Sequence, residues 1–332
     1  MKAPKFWFQK PNLLSLLFWP FSKLYQLVNW LRERLSQSRS FQTPIWCVGN
    51  ITLGGSGKTP VTLALSGWAE QNQQKVCIVS KGYMGTLTHQ TITVNPNQHT
   101  AKDVGDEAIL LAQKHTTIVG KDRISSLIEA EKQNPSLIIM DDGYQNPTFK
   151  KSLHILIIHS LDSLGNKNIF PAGPLRQSID SACNKADMIL TFENTNYLRD
   201  QLDLSLTTPL FQLTKKTFFK GPLKTKNLWA FCGLGNPDQF YQSLIDEGYN
   251  VLKKTSFADH ATIPPTKLKA MIQEAKTKNL SLVCTTKDAV KIHAKFLSEI
   301  NVAHMEIDLP ASLIKVLSSH LTINSKNEKP CV

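Results

Sequence analysis

The sequence predicts an α/β fold: a doubly wound, mostly parallel sheet, followed by a second, smaller α/β domain and preceded by a membrane-associated helix. Three observations carry that prediction. Continuous apolar runs at 75–80, 116–119, 137–140, 153–158 and 188–192 alternate with polar or amphipathic stretches. This is the pattern of strands buried on both faces and joined by crossover helices. A glycine-rich turn links one more such run, 45–48, to a helix-compatible segment from Val61. After an extended region, the alternation restarts at 228–232, 249–252 and 282–285.

The N-terminal segment, 1–35, differs from the rest. Lys2, Lys5, Lys10, Lys23 and Arg32 precede the first acid, Glu33, and are interleaved with Phe6, Trp7, Phe8, Leu13, Leu14, Leu16, Leu17, Phe18 and Trp19. The uncharged run 11–22 has 12 residues, short of the roughly 20 that a spanning helix needs, and Pro20 is expected to interrupt it. Nothing resembling a signal-peptide cleavage site follows. Beyond Pro20, the residues Phe21, Leu24, Tyr25, Val28 and Leu31 recur at helical spacing. A basic, aromatic-rich amphipathic segment lying in a membrane surface fits this pattern; the alternative is a helix packed on its own domain.

The turn itself reads Val48-Gly49-Asn50-Ile51-Thr52-Leu53-Gly54-Gly55-Ser56-Gly57-Lys58-Thr59. Apolar strand, glycine-rich turn, Gly-Lys-Thr and helix are the ordered parts of a P-loop, which makes the large sheet P-loop NTPase-like. Glycines let successive backbone N–H groups point at phosphate oxygens, and the helix adds its positive end. Residues Thr52, Leu53, Gly54, Gly55, Ser56, Gly57, Lys58 and Thr59 are therefore the expected ATP-binding set. Lys58 supplies charge for the β- and γ-phosphates, and Thr59 a hydroxyl for Mg²⁺. Thr52 stands where the strict pattern has glycine.

The run 137–140 ends in Asp141-Asp142, and a strand-end Asp in such enzymes holds Mg²⁺ directly or through water. Gln145 follows near the same strand end, where ligands bind in open α/β sheets. Gly105-Asp106-Glu107 precedes a helical run. Asp106 is either a helix N-cap or a carboxylate able to accept a hydroxyl proton, and sequence alone leaves both open. Lys81, Arg123 and Arg176 each sit in a turn after a strand or loop and suggest anion clamps. His260, in Phe257-Ala258-Asp259-His260, is a lone histidine of the kind that is usually structural.

The character of the chain changes at 211–222, read as an extended linker between a phosphate-binding domain at 36–210 and a smaller α/β domain at 223–332. The 332 residues carry a formal charge of +12, which suits an anionic partner. No recognised nucleic-acid module accompanies the charge, so nucleic acid is not an expected partner. The six cysteines are scattered without a Cys-x-x-Cys pair, which argues against a zinc site and for a reducing compartment. Thr286-Lys287-Asp288-Ala289 has its Asp one position early for a guanine-reading motif. A peripheral membrane ATPase that switches a protein partner remains the alternative function.

Taken together, the phosphate-loop motif, Gly105-Asp106-Glu107, Asp141-Asp142-Gly143-Tyr144-Gln145, Gly173-Pro174-Leu175-Arg176, Gly233-Leu234-Gly235-Asn236-Pro237, Phe257-Ala258-Asp259-His260 and Thr286-Lys287-Asp288-Ala289-Val290-Lys291 resemble the tetraacyldisaccharide 4'-kinase family. The resemblance runs from the N-terminal anchor to about Lys291. It implies a lipid kinase of lipid A biosynthesis. The γ-phosphate of ATP would pass, with Mg²⁺, to the 4'-hydroxyl of a tetraacyl diglucosamine 1-phosphate, forming lipid IVA. It implies a place at the cytoplasmic face of the bacterial inner membrane, with 36–210 as the kinase domain. Asp106 falls on the family's catalytic Asp and His260 on its partner histidine. Glu107, Asp141, Asp142 and Gln145 match active-site positions, Arg123 and Arg176 basic ones, and Asn50 and Tyr83 map near the site. The chain departs from the family's usual residues at Lys81, Gln177, Ala261 and Thr286.

Overall fold

The computed structural model describes residues 3–10, 12–54, 57–204, 207–259 and 261–326. The tail beyond 326 lies outside them. Thirteen strands and twelve α-helices occur among the described residues. The strands are β1 Ile45–Asn50, β2 Val76–Ser80, β3 Ile92–Thr93, β4 Thr116–Val119, β5 Leu137–Asp141, β6 Leu153–Ile158, β7 Met188–Thr191, β8 Leu210–Gln212, β9 Thr214–Phe219, β10 Asn227–Cys232, β11 Asn250–Ser256, β12 Ser281–Thr285 and β13 Asn301–Asp308. The helices run α1 Leu13–Leu35, α2 Lys58–Gln71, α3 Ala101–Val104, α4 Asp106–Ala112, α5 Arg123–Glu131, α6 Ile179–Cys183 and α7 Thr195–Leu202. They continue with α8 Pro237–Asp246, α9 Pro265–Thr277, α10 Thr286–Ala289, α11 Ala294–Leu297 and α12 Ala311–Lys326. An eight-stranded sheet has the order β3-β4-β2-β5-β1-β6-β7-β8, and a five-stranded sheet the order β11-β10-β12-β13-β9. β1 pairs in parallel with both β5 and β6, and β6, β7 and β8 continue in parallel, while β3 is antiparallel to β4. The region read as a linker thus contributes β8 to one sheet and β9 to the other.

The chain divides into two compact units. The first holds Ala3–Cys77, Ala130–Thr214 and the segment from Ile307; the second holds Ile78–Glu129 and Lys215–Glu306. This division differs from the sequential boundaries expected at 36–210 and 223–332. The physical reason lies inside the second unit. There Val290 packs against a core of Val94, Val104, Ala108, Ile109 and Val119, and charged contacts described below reinforce the join.

In the first unit, every residue of β1 is buried, as expected of a central parallel strand. Val61 and Leu65 of α2 are fully buried in the same core, and the Trp46 and Trp68 rings stack with centroids 6.3 Å apart. Gly49 is required by close approach: a Cβ there would meet the Tyr144 Cβ at 2.4 Å. The Tyr144 hydroxyl donates to the Ala182 carbonyl at 2.7 Å, so the turn after β5 is pinned on both sides.

Helix α1 corrects one expectation. It runs unbroken through Pro20, although an interior proline removes a hydrogen bond and costs about 3 kcal/mol in a helix. Anchors on either side of Pro20 offset that cost. Ser15 Oγ accepts from Asn166 Nδ2 at 3.2 Å, and the buried Ser22 Oγ donates to the Ile169 carbonyl at 2.7 Å while accepting from the Ala172 N–H at 3.1 Å. The face of α1 turned toward its unit is therefore marked by serines, together with Tyr25, whose ring lies 5.5 Å from that of Phe170. Leu13, Leu16, Leu17, Trp19, Phe21, Leu24, Val28 and Leu31 are exposed. No helix among the described residues is long and apolar enough to cross a membrane. Ser22→Ala strips the buried Ala172 N–H of its acceptor, an omission worth about 1–3 kcal/mol. Thermal unfolding should register it as a clear drop in Tm.

Candidate active site

The phosphate loop is built on β1. Its last residue, Asn50, is fully buried, and its Nδ2 donates to Thr52 O at 3.0 Å and to Thr52 Oγ1 at 2.9 Å. Thr52 at the first loop position is thus accounted for: its hydroxyl gives the asparagine an acceptor and holds the loop's first bend. The 173–176 segment straps the same bend. Leu53 N–H donates to Pro174 O at 2.8 Å, and Arg176 N–H to Ile51 O at 2.6 Å. Gly54 and Gly57 have φ of +115° and +75°, values that L-residues with a Cβ avoid. Gly57 leads directly into α2, whose first residues are Lys58 and the buried Thr59. Gly55 and Ser56 lie outside the described residues.

The Lys58 ammonium sits between two partners, 3.3 Å from Asn50 Oδ1 and 3.7 Å from Asp142 Oδ1. Arg176 Nη1 donates to the same Asp142 oxygen at 3.1 Å. Asp141, by contrast, is buried and accepts from Thr62 Oγ1 of α2 at 3.1 Å. The two adjacent acids therefore face different partners, Asp142 two cations and Asp141 a helix hydroxyl. Asp142 takes φ of +58°, a left-handed value that Asp tolerates better than most residues, and this turns consecutive side chains apart. Gln145 Nε2 donates to Asn50 O at 2.6 Å. Lys151 donates to the carbonyls of Tyr144 and Asn146 at 3.1 and 2.7 Å. Burial lowers its pKa from the ordinary lysine value.

The second unit gathers a different set. Gly105, at φ +91°, leaves no room for a Cβ, which would meet Tyr83 O at 2.6 Å. This puts the buried Asp106 at the start of α4, with its Oδ1 accepting from Glu107 N–H at 3.0 Å. The Lys287 ammonium lies 3.3 Å from Glu107 Oε1, 3.4 Å from Asp259 Oδ1 and 3.9 Å from Asp106 Oδ2. Burial alone would lower its pKa, but Glu107, Asp106 and Asp259 outweigh burial and raise it. Lys291 lies 3.0 Å from Asp288 Oδ1 and 3.9 Å from Asp106 Oδ2. Asp288 is fully buried and accepts from Gly233 N–H at 3.0 Å and from Thr285 Oγ1 at 2.6 Å. Its carboxylate is thus engaged within its own unit, in keeping with the misfit of the guanine motif.

Of the residues singled out from sequence, Asn50, Thr52, Leu53, Gly54, Gly57, Lys58, Thr59, Asp141, Asp142, Gln145 and Arg176 belong to the first unit. Tyr83, Asp106, Glu107 and Arg123 belong to the second. Arg123 is buried and directs Nη1 to Gly120 O at 3.4 Å, which is a local tie. His260 lies outside the described residues. Thr62 and the contacts of Asp259, Lys287 and Lys291 were not read from sequence. The last three belong to the 257–260 and 286–291 motifs, and the four-residue spacing of the lysines is the signal the sequence carries. Among the described residues no group of three or more His, Cys, Asp or Glu is arranged to hold a metal ion. A P-loop's Mg²⁺ does not require one, since a hydroxyl, one or two acids and phosphate oxygens share it. Thr59, Asp141 and Asp142 fit that donor set.

The chain is similar to known proteins over most of its length. The tetraacyldisaccharide 4'-kinase of Allorhizobium ampelinum is 36% identical over 294 residues, covering 88% of this chain and 85% of the relative. That of Rhodopseudomonas palustris strain HaA2 is 33% identical over 300 residues, covering 89% and 88%. The crystal structure of LpxK from Aquifex aeolicus, described as an "apo" form in complex with ATP, shares the fold. Its TM-score is 0.75 at 23% identity, over 94% of this chain and 99% of that one. The model of the family described as Tetraacyldisaccharide-1-P 4'-kinase matches residues 14–322, and with the phosphate loop and strand-end acids in place, the chain belongs to that family.

Proposed function

We propose that the protein transfers the γ-phosphate of ATP to the 4'-hydroxyl of a tetraacyldisaccharide 1-phosphate, forming lipid IVA. The observation that carries this reading is the Lys58 ammonium held between Asn50 and Asp142 at the end of β1, in a chain of this family. In the reaction the 4'-oxygen bonds to the γ-phosphorus, the bond to the β,γ-bridging oxygen breaks, and ADP leaves. Such transfers depend mainly on positioning and charge stabilisation. Lys58 and the loop N–H groups take up the developing negative charge, and Arg176 supports them through Asp142. Asp106 receives the hydroxyl proton, with His260 as its partner. Thr59, Asp141 and Asp142 would hold Mg²⁺, which would supply positive charge to offset that of the phosphates. Glu107, Gln145, Asn50, Tyr83, Arg123 and Arg176 complete the proposed substrate and phosphate set.

The protein acts as a peripheral or monotopic enzyme at the cytoplasmic face of the inner membrane. The support is α1, whose outward residues are a row of large apolar side chains flanked by Lys23, Arg32 and Arg34, as interfacial helices have. Changing Leu16, Leu17, Phe21 and Leu24 together to serine should abolish flotation with anionic vesicles and leave Tm nearly unchanged. Retained flotation assigns membrane binding to another surface. The activity is tested by incubating purified protein with γ-labelled ATP and tetraacyl disaccharide 1-phosphate. Label in the lipid supports the reading. Lipid-independent release of phosphate, with none in the lipid, favours an ATPase switch instead.

A further inference from the structure

Three motifs that the phosphate loop leaves unused meet around Asp106. They contribute Gly233 N–H, Asp259, and the Lys287, Asp288 and Lys291 side chains. The two lysines are not equivalent. Lys291 is closest to Asp288, which Gly233 and Thr285 also hold, so this ion pair is a fixed part of the fold. Lys287 instead is shared by Asp106, Glu107 and Asp259, from two separate stretches of chain. Without it three carboxylates would be left together, the buried one of Asp106 beside the partly exposed ones of Glu107 and Asp259, an arrangement in which like charges disfavour ionisation. Its 3.9 Å separation from Asp106 Oδ2 is an ion pair beyond hydrogen-bond reach. The ammonium therefore stabilises the carboxylate's charge without donating a proton to it.

We propose that Lys287 is a positioning residue for phosphoryl transfer: it gathers Asp106, Glu107 and Asp259 into one cluster and keeps the Asp106 carboxylate ionised and in place to accept the hydroxyl proton. The inference rests on the kinase reading and on Asp106 as the base. It also gives Asp259 a role, since that carboxylate competes with Asp106 for the same ammonium. Among the described residues, the charged or titratable groups around Asp106 include Glu107 on its own helix, Lys287 and Lys291 from the 286–291 stretch with Asp288 behind Lys291, and Asp259 behind Lys287. Tyr83 lies on the turn packed against Gly105, and His260 follows Asp259 in sequence.

The test is the pH profile of lipid-dependent label transfer. A base that must be ionised gives an acid limb, with the rate falling as pH drops through its pKa. Lys287→Gln removes a neighbouring positive charge, so the limb should move to higher pH by about one unit. The loss should be about tenfold below the limb and shrink above it. Lys287→Arg should restore the limb's position. Asp259→Asn leaves the lysine in place and removes its competitor, so the limb should move to lower pH. ATP affinity, read by nucleotide titration, should stay unchanged in all three. A loss that is equal at every pH in Lys287→Gln, or an upward shift in Asp259→Asn, overturns the proposal and reduces Lys287 to a structural tie. Wild-type label transfer, measured first, tests the kinase reading by itself; its absence would bring down both.

Discussion

Replacing Lys58 with alanine is expected to lower turnover at least ~100-fold, on the scale seen when a preorganised charge or donor is removed from a transition state. The glycine backbone that shapes the loop is untouched by the change, and Asn50 still holds Thr52 through its Nδ2. What disappears is a lysine that touches both the end of β1 and Asp142. Asp142 keeps Arg176 as a partner, so its charge is not stranded and the fold should survive. The measurement is label transfer to the lipid at saturating ATP, with Tm as the control. Activity within a few-fold of wild type would remove the phosphate-loop assignment.

Asp106→Ala and His260→Ala should each reduce turnover by roughly 10²–10⁴-fold, the usual span for general acid–base groups, and leave ATP affinity nearly unchanged. If they act as a unit, the double variant loses far less than the product of the two single losses. Multiplicative losses would indicate separate roles. Asp106 also faces Lys287 and Lys291, and deleting one partner of a buried charged group is itself destabilising, by about 3–5 kcal/mol in unfavourable cases. Asp106→Asn, which keeps the shape, is therefore the control: it should match Asp106→Ala in turnover while losing less Tm.

The phosphate loop was legible because its parts are contiguous. Strand, glycines, Lys58 and helix lie within one short stretch, and the backbone geometry that phosphate binding demands leaves a local trace in residue type. Asp141 and Asp142 were legible for the same reason, at the end of an apolar run. Their division of partners was not, because it depends on a left-handed turn at Asp142 and on Thr62 and Arg176, which lie far away in sequence. The Lys287 cluster lies further still beyond local pattern, since 180 positions separate Lys287 from Glu107. β13 is hard to read because its exposed and buried residues follow no strict alternation, and β8 and β9 read as extended linker because each is an edge strand, in two different sheets, which local pattern does not show. Pro20 misled because helix propensity is a local rule and the bonds from Ser15 and Ser22 that override it are tertiary.

Helix α1 grips its unit through directional bonds, and that distinguishes it from a merely greasy attachment. Apolar burial is non-directional, so a helix held by it alone can roll or slide at little cost. Ser15 and Ser22 of the helix, and the indole of Trp7 in the short 3-10 turn Lys5–Phe8 that precedes it, which donates to Pro171 O at 3.0 Å, each need a particular angle to a particular atom. Rotation about the helix axis is thereby indexed, and the outward leucines and aromatics of its 23 residues form a stiff keel about 35 Å long at 1.5 Å per residue. On the proposed reading, the draught of that keel sets how high the Lys58 loop rides above the acyl chains, so the height becomes a property of the fold and not of whichever lipids happen to lie beneath it.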